Sequence, residues 1–372
     1  MAKKMFNAED LRHKVLLLGV YTPQNKFKDI DAYFEEFLSL VNTLGIKFDE
    51  KLFIKLRMVD ASHFLTSGKK EEVAKFCEEH EIDEIICSSP LTALQERNLS
   101  DAFNAKVFDR SRLILEIFKN AAHSAEGKTQ VDIAVLEYLK TRMTGRGTEL
   151  AQQAGMAGIF GTKGPGETIK ETLRRTYEVK IGQAKRKLGV LERSREEQRK
   201  RRLLSNIPLV SLIGYTNSGK SSLLNRLAKS EVLVEDKLFA TLDTTTKVFY
   251  PSPQKKILMS DTVGFISELP HHLIEAFKST LDELKYSDLL LIVVDLSNKI
   301  WKDQIRVVLD MLKALDVDKP YLFVFNKIDK VEKIEDLQEE LEGFRPYVLT
   351  QTLKKEGADS LVKFLKDYKF QK

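Results

Sequence analysis

The chain has 372 residues, of which 42% are hydrophobic and 31% charged. This length and composition predict a globular protein with two or three domains and sizeable cores. No run approaches the roughly eighteen apolar residues of a membrane-spanning helix, and residues 1–10 lack the apolar core of a signal peptide. We therefore expect a cytoplasmic protein without stable membrane insertion. The two cysteines, Cys77 and Cys87, predict neither a disulfide framework nor a zinc site.

The formal net charge of +5 is unevenly distributed along the chain. Residues 174–202 contain twelve Lys and Arg against four Asp and Glu, so the rest of the chain is net negative. Such a basic concentration predicts a polyanionic partner, here RNA, at one site. The alternative interpretation is a solvated helix face, which is the usual role of a charge run.

Residues 1–125 are predicted to form an N-terminal domain of alternating strands and helices. Strand patterns cover 14–20, 84–87 and 106–109, and helical patterns cover 30–44, 70–80 and 110–120. Another helix is predicted to begin at Pro90. The alternation indicates a small parallel α/β domain.

Residues 126–205 are predicted to form a long antiparallel helical hairpin. Apolar residues have helical spacing at Val131, Ala134, Val135, Tyr138 and Leu139. A second series repeats about every 3.5 residues, at Tyr177, Ile181, Ala184, Leu188 and Leu191. Residues 155–166 are rich in the glycine and proline that end helices, and they predict a tip between the two helices.

Residues 206–372 are predicted to form a P-loop GTPase domain, which begins with a phosphate-binding loop. The loop fits the pattern G-x-x-x-x-G-K-[ST] and lies between an apolar strand, 207–213, and a helix, 222–228. Its residues are Gly214, Tyr215, Thr216, Asn217, Ser218, Gly219, Lys220 and Ser221. Inward-turned N–H groups and the helix N-terminus would bind phosphates, Lys220 would reach the β- and γ-phosphates, and Ser221 would hold Mg²⁺.

Two further motifs follow predicted strands in the same domain. Asp261, Thr262, Val263 and Gly264 follow the strand 256–260, where the acid can accept Mg²⁺-bound water and Gly264 can turn its N–H to the γ-phosphate. Asn326, Lys327, Ile328 and Asp329 follow the strand 321–325. Asp329 can accept both guanine N1–H and the 2-amino group, a donor pair that adenine lacks. The carboxylate therefore predicts GTP rather than ATP as the ligand.

A threonine-rich switch is predicted between the first helix of this domain and the next strand. It comprises Phe239, Ala240, Thr241, Leu242, Asp243, Thr244, Thr245 and Thr246. One of its hydroxyls can ligate Mg²⁺. Ordered co-occurrence of four such motifs is far more specific than any one of them.

Over nearly its whole length the chain resembles HflX, a family of bacterial GTPases in the translation-factor superclass. The matching segments are 67–69, 109–110, 113–118, 127–131, 164–168, 214–217, 238–243 and 261–266. The resemblance implies a GTPase that binds the large ribosomal subunit and splits stalled or idle ribosomes, with the glycine-rich tip near the peptidyl-transferase centre. It also implies Ser221 and Thr241 as Mg²⁺ ligands, Asn326, Lys327 and Asp329 as guanine contacts, and large-subunit RNA as a partner of residues 155–202.

The chain departs from the family pattern in three places. Gln351-Thr352-Leu353 aligns with a guanine-contacting element that is usually Ser-Ala-Lys or Ser-Ala-Leu, so either base affinity is weaker or the backbone suffices. Residues 86–89 replace a usual Phe-Asn-Asn. Thirdly, the sequence stops soon after the helical pattern 361–368, whereas many relatives carry a further C-terminal domain that can contact the ribosome.

Two residues leave the mechanism open. Phe265 stands where many GTPases have a water-orienting glutamine, so either hydrolysis is slow until a partner completes the site or a nearby side chain positions the water. Lys220 and Gly264 are the predicted catalytic residues. Asn217 either binds K⁺ beside the phosphates or only stabilises a turn. Two alternatives to ribosome splitting are a ribosome-assembly or RNA-remodelling factor and a non-catalytic scaffold that uses GTP to hold its fold.

Overall fold

A computed structural model describes residues 13–25, 27–143, 165–204, 207–228, 238–239, 242, 244–354 and 356–370. For 165–170, 195 and 198–204 only the helical backbone is described. By their contacts, residues 1–120, 128–191 and 268–276 group into a first compact unit, and 121–127, 192–267 and 277–372 into a second. The division into three domains at 125 and 205 stays a prediction. Within the described residues, none of the helices has the length and apolar character to cross a membrane.

The first unit contains a four-stranded parallel sheet in the order β2-β1-β3-β4. Its strands are β1 (Val15–Tyr21), β2 (Glu50–Lys55), β3 (Glu84–Cys87) and β4 (Lys106–Phe108). Its first helices are α1 (Ile30–Thr43), α2 (Ser67–His80), α3 (Ala93–Phe103) and α4 (Arg110–Ala121). The predicted parallel α/β arrangement is confirmed. Parallel strands require helical crossovers, which explains the alternation read from the sequence.

Helix boundaries in this unit follow their capping residues. Asp29 accepts a hydrogen bond from the N–H of Ala32 and begins α1. The third helix begins at Ala93, so its predicted start at Pro90 is wrong. The side chain of Thr92 accepts from the N–H of Gln95, whose side chain accepts from the N–H of Thr92 in return. This capping box, which stabilises a helix start by about 1 kcal/mol, overrides the signal from proline.

Helices α5 (Ala125–Arg142) and α6 (Pro165–Leu204) are joined by two ion pairs. Lys185 contacts Glu137 at 3.2 Å, and Lys140 contacts Glu178 at 3.2 Å. Because the partner numbers fall along α6 as they rise along α5, the two helices run antiparallel, as predicted. The seam residues Ile181 and Leu188 are buried. The predicted tip, residues 155–164, lies outside the described residues.

The second unit is built on a six-stranded sheet in the order β10-β9-β8-β5-β7-β6. All neighbours are parallel except β6, which pairs antiparallel with β7. Its strands are β5 (Leu209–Gly214), β6 (Thr245–Ser252), β7 (Lys255–Asp261), β8 (Leu289–Asp295), β9 (Tyr321–Asn326) and β10 (Tyr347–Leu349). Buried side chains of β5, β8 and β9 make these central strands apolar along nearly their whole length, as a sheet covered on both faces requires.

Helices and short turns complete the chain. They are α7 (Lys220–Ala228), α8 (His271–Ala276), α9 (Lys278–Leu281), α10 (Trp301–Ala314), α11 (Gln338–Glu342) and α12 (Asp359–Asp367), with 3-10 segments at Asp282–Tyr286, Ile328–Lys330 and Glu335–Leu337. One core cluster of the second unit joins Leu223 of α7 and Leu361 of α12 to the sheet residues Leu212, Leu291 and Val324. Each fully buried leucine or valine of this kind contributes roughly 1.5–3 kcal/mol. The core therefore holds the carboxyl edge of the sheet, where the site lies, in a fixed shape.

Candidate nucleotide-binding site

The loop between β5 and α7 curls at the N-terminus of that helix. Gly214 has a φ of +154°, and a Cβ on it would lie 2.2 Å from the carbonyl oxygen of Val293. Gly219 has a φ of +93°, and a Cβ on it would lie 2.3 Å from Nδ2 of Asn326. Asn217, with a φ of +57°, is left-handed as well. Such a close-packed, left-handed loop at a helix start presents N–H groups to an anion.

The side chain of Lys220 is buried and folds back over the loop. Its Nζ donates to the carbonyl oxygens of Tyr215 at 2.9 Å and Gly214 at 3.4 Å. The pKa of Lys220 is lowered to about 8, mainly by burial; the nearby Asp261 opposes this shift and Lys327 adds to it. An ammonium held away from water next to neutral carbonyls favours an incoming phosphate, which would restore its usual pKa.

Gly264 lies next to this lysine. A Cβ on Gly264 would lie 3.0 Å from Nζ of Lys220 and 3.1 Å from Cα of Thr216. The structure thus brings together the two predicted catalytic residues. The neighbouring Thr262 is fixed by a 2.8 Å hydrogen bond from its hydroxyl to the carbonyl oxygen of Leu212, and Val263 is buried.

Ser221 and Asp261 form a pair suited to Mg²⁺. The hydroxyl of Ser221 donates to Oδ2 of Asp261 at 2.6 Å, and Asp261 is fully buried at the end of β7. Hydroxyl and carboxylate oxygens are the hard donors that Mg²⁺ prefers, and it takes its other ligands from phosphates and water. The residues present therefore fit the ion. The second predicted ligand, Thr241, lies outside the described residues, as do Ala240 and Asp243.

The other described switch residues are divided between a turn and a strand. Phe239 and Leu242 are buried, and Phe239 has a left-handed φ of +59°. Thr245 and Thr246 begin β6 and pair with Asp261 and Ser260 of β7. The predicted switch region therefore ends inside a strand that is paired with β7 next to Asp261.

Phe265 has a buried, apolar side chain and offers no polar side-chain group to the predicted phosphate site. Its ring is 1% exposed, and its backbone forms an isolated parallel bridge with Tyr215. The N–H of Phe265 donates to Gly214, and its carbonyl accepts from Thr216 at 2.8 Å. Two residues on, the N–H of Ser267 donates to the hydroxyl of Tyr215 at 2.8 Å. Phe265 is thus a packing residue that ties this segment to the phosphate-binding loop.

The predicted guanine contacts lie at the end of β9. Nδ2 of Asn326 donates to the carbonyl of Ser218 at 3.0 Å, and Nζ of Lys327 donates to that of Asn217 at 2.7 Å. These bonds fix the guanine motif to the phosphate-binding loop. Asp329 lies in the 3-10 segment after Ile328, and its side chain is exposed, as an acceptor for a ligand must be.

Two residues that the sequence analysis did not assign to the site support this corner. Asp295, at the end of β8, pairs with Nζ of Lys327 at 2.7 Å. The hydroxyl of Thr350, directly after β10, donates to Oδ1 of Asn326 at 3.2 Å. Both follow strands that end at the same edge of the sheet, and this position is the signal that could have identified them.

A parallel sheet with a phosphate-binding loop, a buried lysine, a serine–aspartate pair and a guanine motif at its carboxyl edge defines a P-loop GTPase. Family models agree, matching the descriptions GTP-binding GTPase N-terminal at 31–119, GTP-binding GTPase Middle Region at 121–202 and 50S ribosome-binding GTPase at 209–327.

Curated relatives identify the family. The chain is 40% identical to GTPase HflX of Caldanaerobacter subterraneus over 87% of this chain and 74% of that protein. It is 39% identical to that of Lacrimispora saccharolytica over 97% and 84%, and 37% identical to that of Escherichia coli over 94% and 81%. The chain belongs to the HflX family of GTPases, and it binds and hydrolyses GTP.

A solved structure is similar to much of the chain. It is a GTP-binding protein from Sulfolobus solfataricus in complex with GDP, 25% identical, with a TM-score of 0.45. The match covers 95% of this chain and 99% of that one.

Proposed function

We propose that this GTPase acts in the cytoplasm on the large ribosomal subunit, and that its nucleotide state switches its affinity for ribosomes that it splits or rescues. The observation that carries the proposal is the basic face of α6. Seven of its cationic side chains are exposed: Arg174, Arg175, Lys180, Lys185, Arg186, Lys187 and Arg193. The matched family description of a 50S ribosome-binding GTPase supports the same target.

The buried and the exposed positions of α6 differ in charge. Ile181 and Leu188 are buried, whereas the cations lie on the other positions of the helix. A cationic helix face suits the phosphates of folded RNA, so binding would be salt-sensitive and weakly dependent on sequence. Arg195, Arg199, Lys200, Arg201 and Arg202 would extend the face, but their side chains are outside the described residues, as are Phe160 and Lys163 of the predicted tip.

Sedimentation of ribosomes through sucrose gradients with GTP, GDP or a non-hydrolysable GTP analogue tests this proposal. We expect co-migration with the large subunit and loss of intact ribosomes in the GTP-like state. Reversal of three exposed cations, Arg175→Glu, Lys180→Glu and Lys187→Glu, should abolish co-migration. The matched control is Lys313→Glu, an exposed lysine of α10. Binding to precursor particles alone would indicate an assembly factor instead, and no binding in any state would reject the ribosomal target.

We assign GTP binding to the four motifs and Mg²⁺ binding to Ser221 and Thr241. Mg²⁺, when bound, would neutralise charge between the β- and γ-phosphates. Lys220 would contact the same oxygens, and Gly264 would offer its N–H to the γ-phosphate. Asp329 would accept from guanine N1–H and its 2-amino group.

The guanine assignment has a direct test. Asp329→Asn replaces one acceptor by an amide donor, which suits the 2-oxo group of xanthine and not the 2-amino group of guanine. We expect GDP affinity to fall at least tenfold and xanthosine diphosphate affinity to rise. Unchanged preference would place the guanine contact elsewhere.

Hydrolysis by the isolated protein should be slow, because the buried ring of Phe265 cannot hydrogen-bond an attacking water. A ribosomal partner would complete the site. Single-turnover hydrolysis with and without large subunits checks this, and equal rates would contradict it.

A K⁺ ion next to Asn217 is a further part of the proposal. The left-handed backbone of Asn217 also suits a simple turn residue, so the geometry alone does not choose between the two roles. Hydrolysis faster in K⁺ than in Na⁺ would support the ion. Equal rates would leave Asn217 with the turn.

A further inference from the structure

Arg226, on the second turn of α7, contacts the loop that follows β10. Its Nε and Nη2 donate to the carbonyl oxygen of Thr352 at 3.2 and 2.8 Å, and Nη2 also donates to that of Leu353 at 3.0 Å. The planar guanidinium thus holds two successive carbonyls. A side chain with a single donor point could not do this in the same way.

The loop contacted by Arg226 is closed on itself. The N–H of Gln351 donates to the carbonyl of Gly357 at 2.8 Å, and the hydroxyl of Ser360 donates to that of Leu349 at 2.6 Å. A Cβ on Gly357 would lie 1.9 Å from the carbonyl oxygen of Gln351, so the two strands of the loop approach closely. The described residues on either side of position 355 are therefore held together by these bonds.

This loop borders the proposed guanine site. Thr350, which precedes it, donates its hydroxyl to Asn326 of the guanine motif. The next three residues replace the usual Ser-Ala-Lys or Ser-Ala-Leu element, and the side chain of Leu353 is 76% exposed. In this segment the backbone N–H of Leu353 is a donor that can meet the 6-oxo group of guanine. In a trans peptide the N–H points away from the preceding carbonyl, so holding the carbonyl of Thr352 fixes the N–H of Leu353.

We propose that Arg226 is a positioning residue for base recognition, which holds the backbone N–H of Leu353 towards the 6-oxo group of a purine nucleotide. This inference rests on the proposed guanine site at Asn326 and Asp329. It also answers the question that the sequence left open, because a clamped backbone takes over the task of the missing Ser-Ala element. The ligand class is a 6-oxopurine nucleoside phosphate.

Three diphosphates separate the roles of the residues involved. GDP has both the 6-oxo and the 2-amino group, 6-thio-GDP replaces the oxygen by a weaker acceptor, and IDP lacks the 2-amino group that Asp329 would bind. We expect the wild-type protein to bind 6-thio-GDP about tenfold more weakly than GDP. In Arg226→Ala, GDP affinity should fall about tenfold and 6-thio-GDP affinity less than threefold, which removes most of this discrimination. The preference for GDP over IDP should stay unchanged.

Calorimetric titration of the full chain supplies these ratios. Arg226→Lys keeps the charge but not the two donors Nε and Nη2, so its loss of GDP affinity should be intermediate. It serves as the test if the alanine variant does not fold. Arg306→Ala is the matched control, since that exposed arginine pairs with Asp303 on α10. Equal weakening of all three nucleotides would make Arg226 merely structural, and unchanged affinities would also overturn the inference. If the wild-type protein bound GDP and IDP equally well, the guanine site itself would be rejected.

Discussion

The two sheets of this protein both bring charged residues to the carboxyl ends of their parallel strands, yet they use them in opposite ways. After β4, Asp109 accepts hydrogen bonds from Arg142 at 2.9 Å and from the hydroxyl of Tyr138 at 2.9 Å. Arg142 also binds Glu96 at 2.8 Å. After β5, by contrast, the buried Lys220 has two backbone carbonyls as partners. One edge balances its charges internally, and the other holds a cation for a ligand.

This difference separates a structural cluster from a binding site. Burial raises the pKa of Tyr138, and the neighbouring carboxylates of Asp109 and Glu96 raise it further, so the hydroxyl stays a neutral donor. The pKa of Lys220 is lowered to about 8 because its charged form is not fully compensated. A buried group with a perturbed pKa in a loop suited to bind an anion indicates function. The same burial with complementary partners indicates stability.

The largest expected effect comes from removing Arg142 from its cluster with Glu96 and Asp109 in the first unit, the balanced edge. Arg142→Met would remove the arginine that pairs with both buried carboxylates, Glu96 and Asp109, which should lower the free energy of unfolding of the first unit by about 3–5 kcal/mol. Denaturant titration measures the loss. The affinity for GDP should stay within twofold, because the nucleotide site lies in the second unit.

An exposed arginine provides the control for this variant. Arg306→Met removes a surface pair with Asp303 and should cost less than about 1 kcal/mol. A loss of similar size in both variants, or a GDP affinity that falls with Arg142→Met, would contradict the proposed division of roles.

The second prediction concerns Lys220, the buried cation of the nucleotide site. Lys220→Met should lower GDP affinity about 100-fold while the nucleotide-free protein loses no stability. The folded pKa of about 8 lies below the ordinary 10.5, so burial of this ammonium disfavours folding by up to about 3 kcal/mol below pH 8, and the penalty fades as the pH rises to 10.5. Calorimetry and thermal unfolding measure the two effects. Lys363→Met, at an exposed position of α12, should change neither.

The same pKa predicts how binding depends on pH. With a pKa of about 8, most Lys220 is charged at pH 7 and about one quarter at pH 8.5, so GDP affinity should fall roughly fourfold between them. Binding at pH 8.5 should also take up most of a proton. Titrations in two buffers of different ionisation enthalpy report that uptake. Binding without proton uptake would show that Lys220 is already charged in the free protein.

The sequence predicts the phosphate-binding loop of the second unit, but it does not predict the edge strand β2 of the first. The loop 214–221 follows from glycine spacing next to an apolar strand, because local backbone geometry requires those residues. By contrast, β2 is an edge strand whose pattern mixes Glu50, Lys51 and Lys55 with apolar residues, so it gave no strand prediction. Edge strands carry charge to avoid pairing with other chains, which hides them from hydrophobic patterns.

Tertiary partners were the other gap. Thr350 reaches Asn326 because β10 and β9 align Leu349 with Phe325, and no local pattern fixes that register. Arg226 reaches Thr352 across more than a hundred residues of sequence for the same reason. The motif residues were predicted, whereas the residues that hold them depended on how distant strands and helices pack.

The smallest expected effects come from a matched pair of hydroxyl deletions. Thr350→Val removes the donor to Asn326 in the second unit, and Tyr138→Phe removes the donor to Asp109 in the first. Each buried hydrogen bond contributes about 1 kcal/mol. Thr350→Val should therefore weaken GDP binding by up to about fivefold, because Asn326 is less firmly held against the phosphate-binding loop.

Tyr138→Phe should instead lower the free energy of unfolding by about 1 kcal/mol and leave GDP affinity unchanged. Calorimetry and denaturant titration of both variants give a two-by-two comparison in which each hydroxyl serves as the control for the other. If both deletions affected only stability, the bond from Thr350 would belong to the fold and not to the ligand. If Tyr138→Phe weakened nucleotide binding, the balanced edge would take part in function, because a change confined to its internal hydrogen bonds would then reach the GTP site.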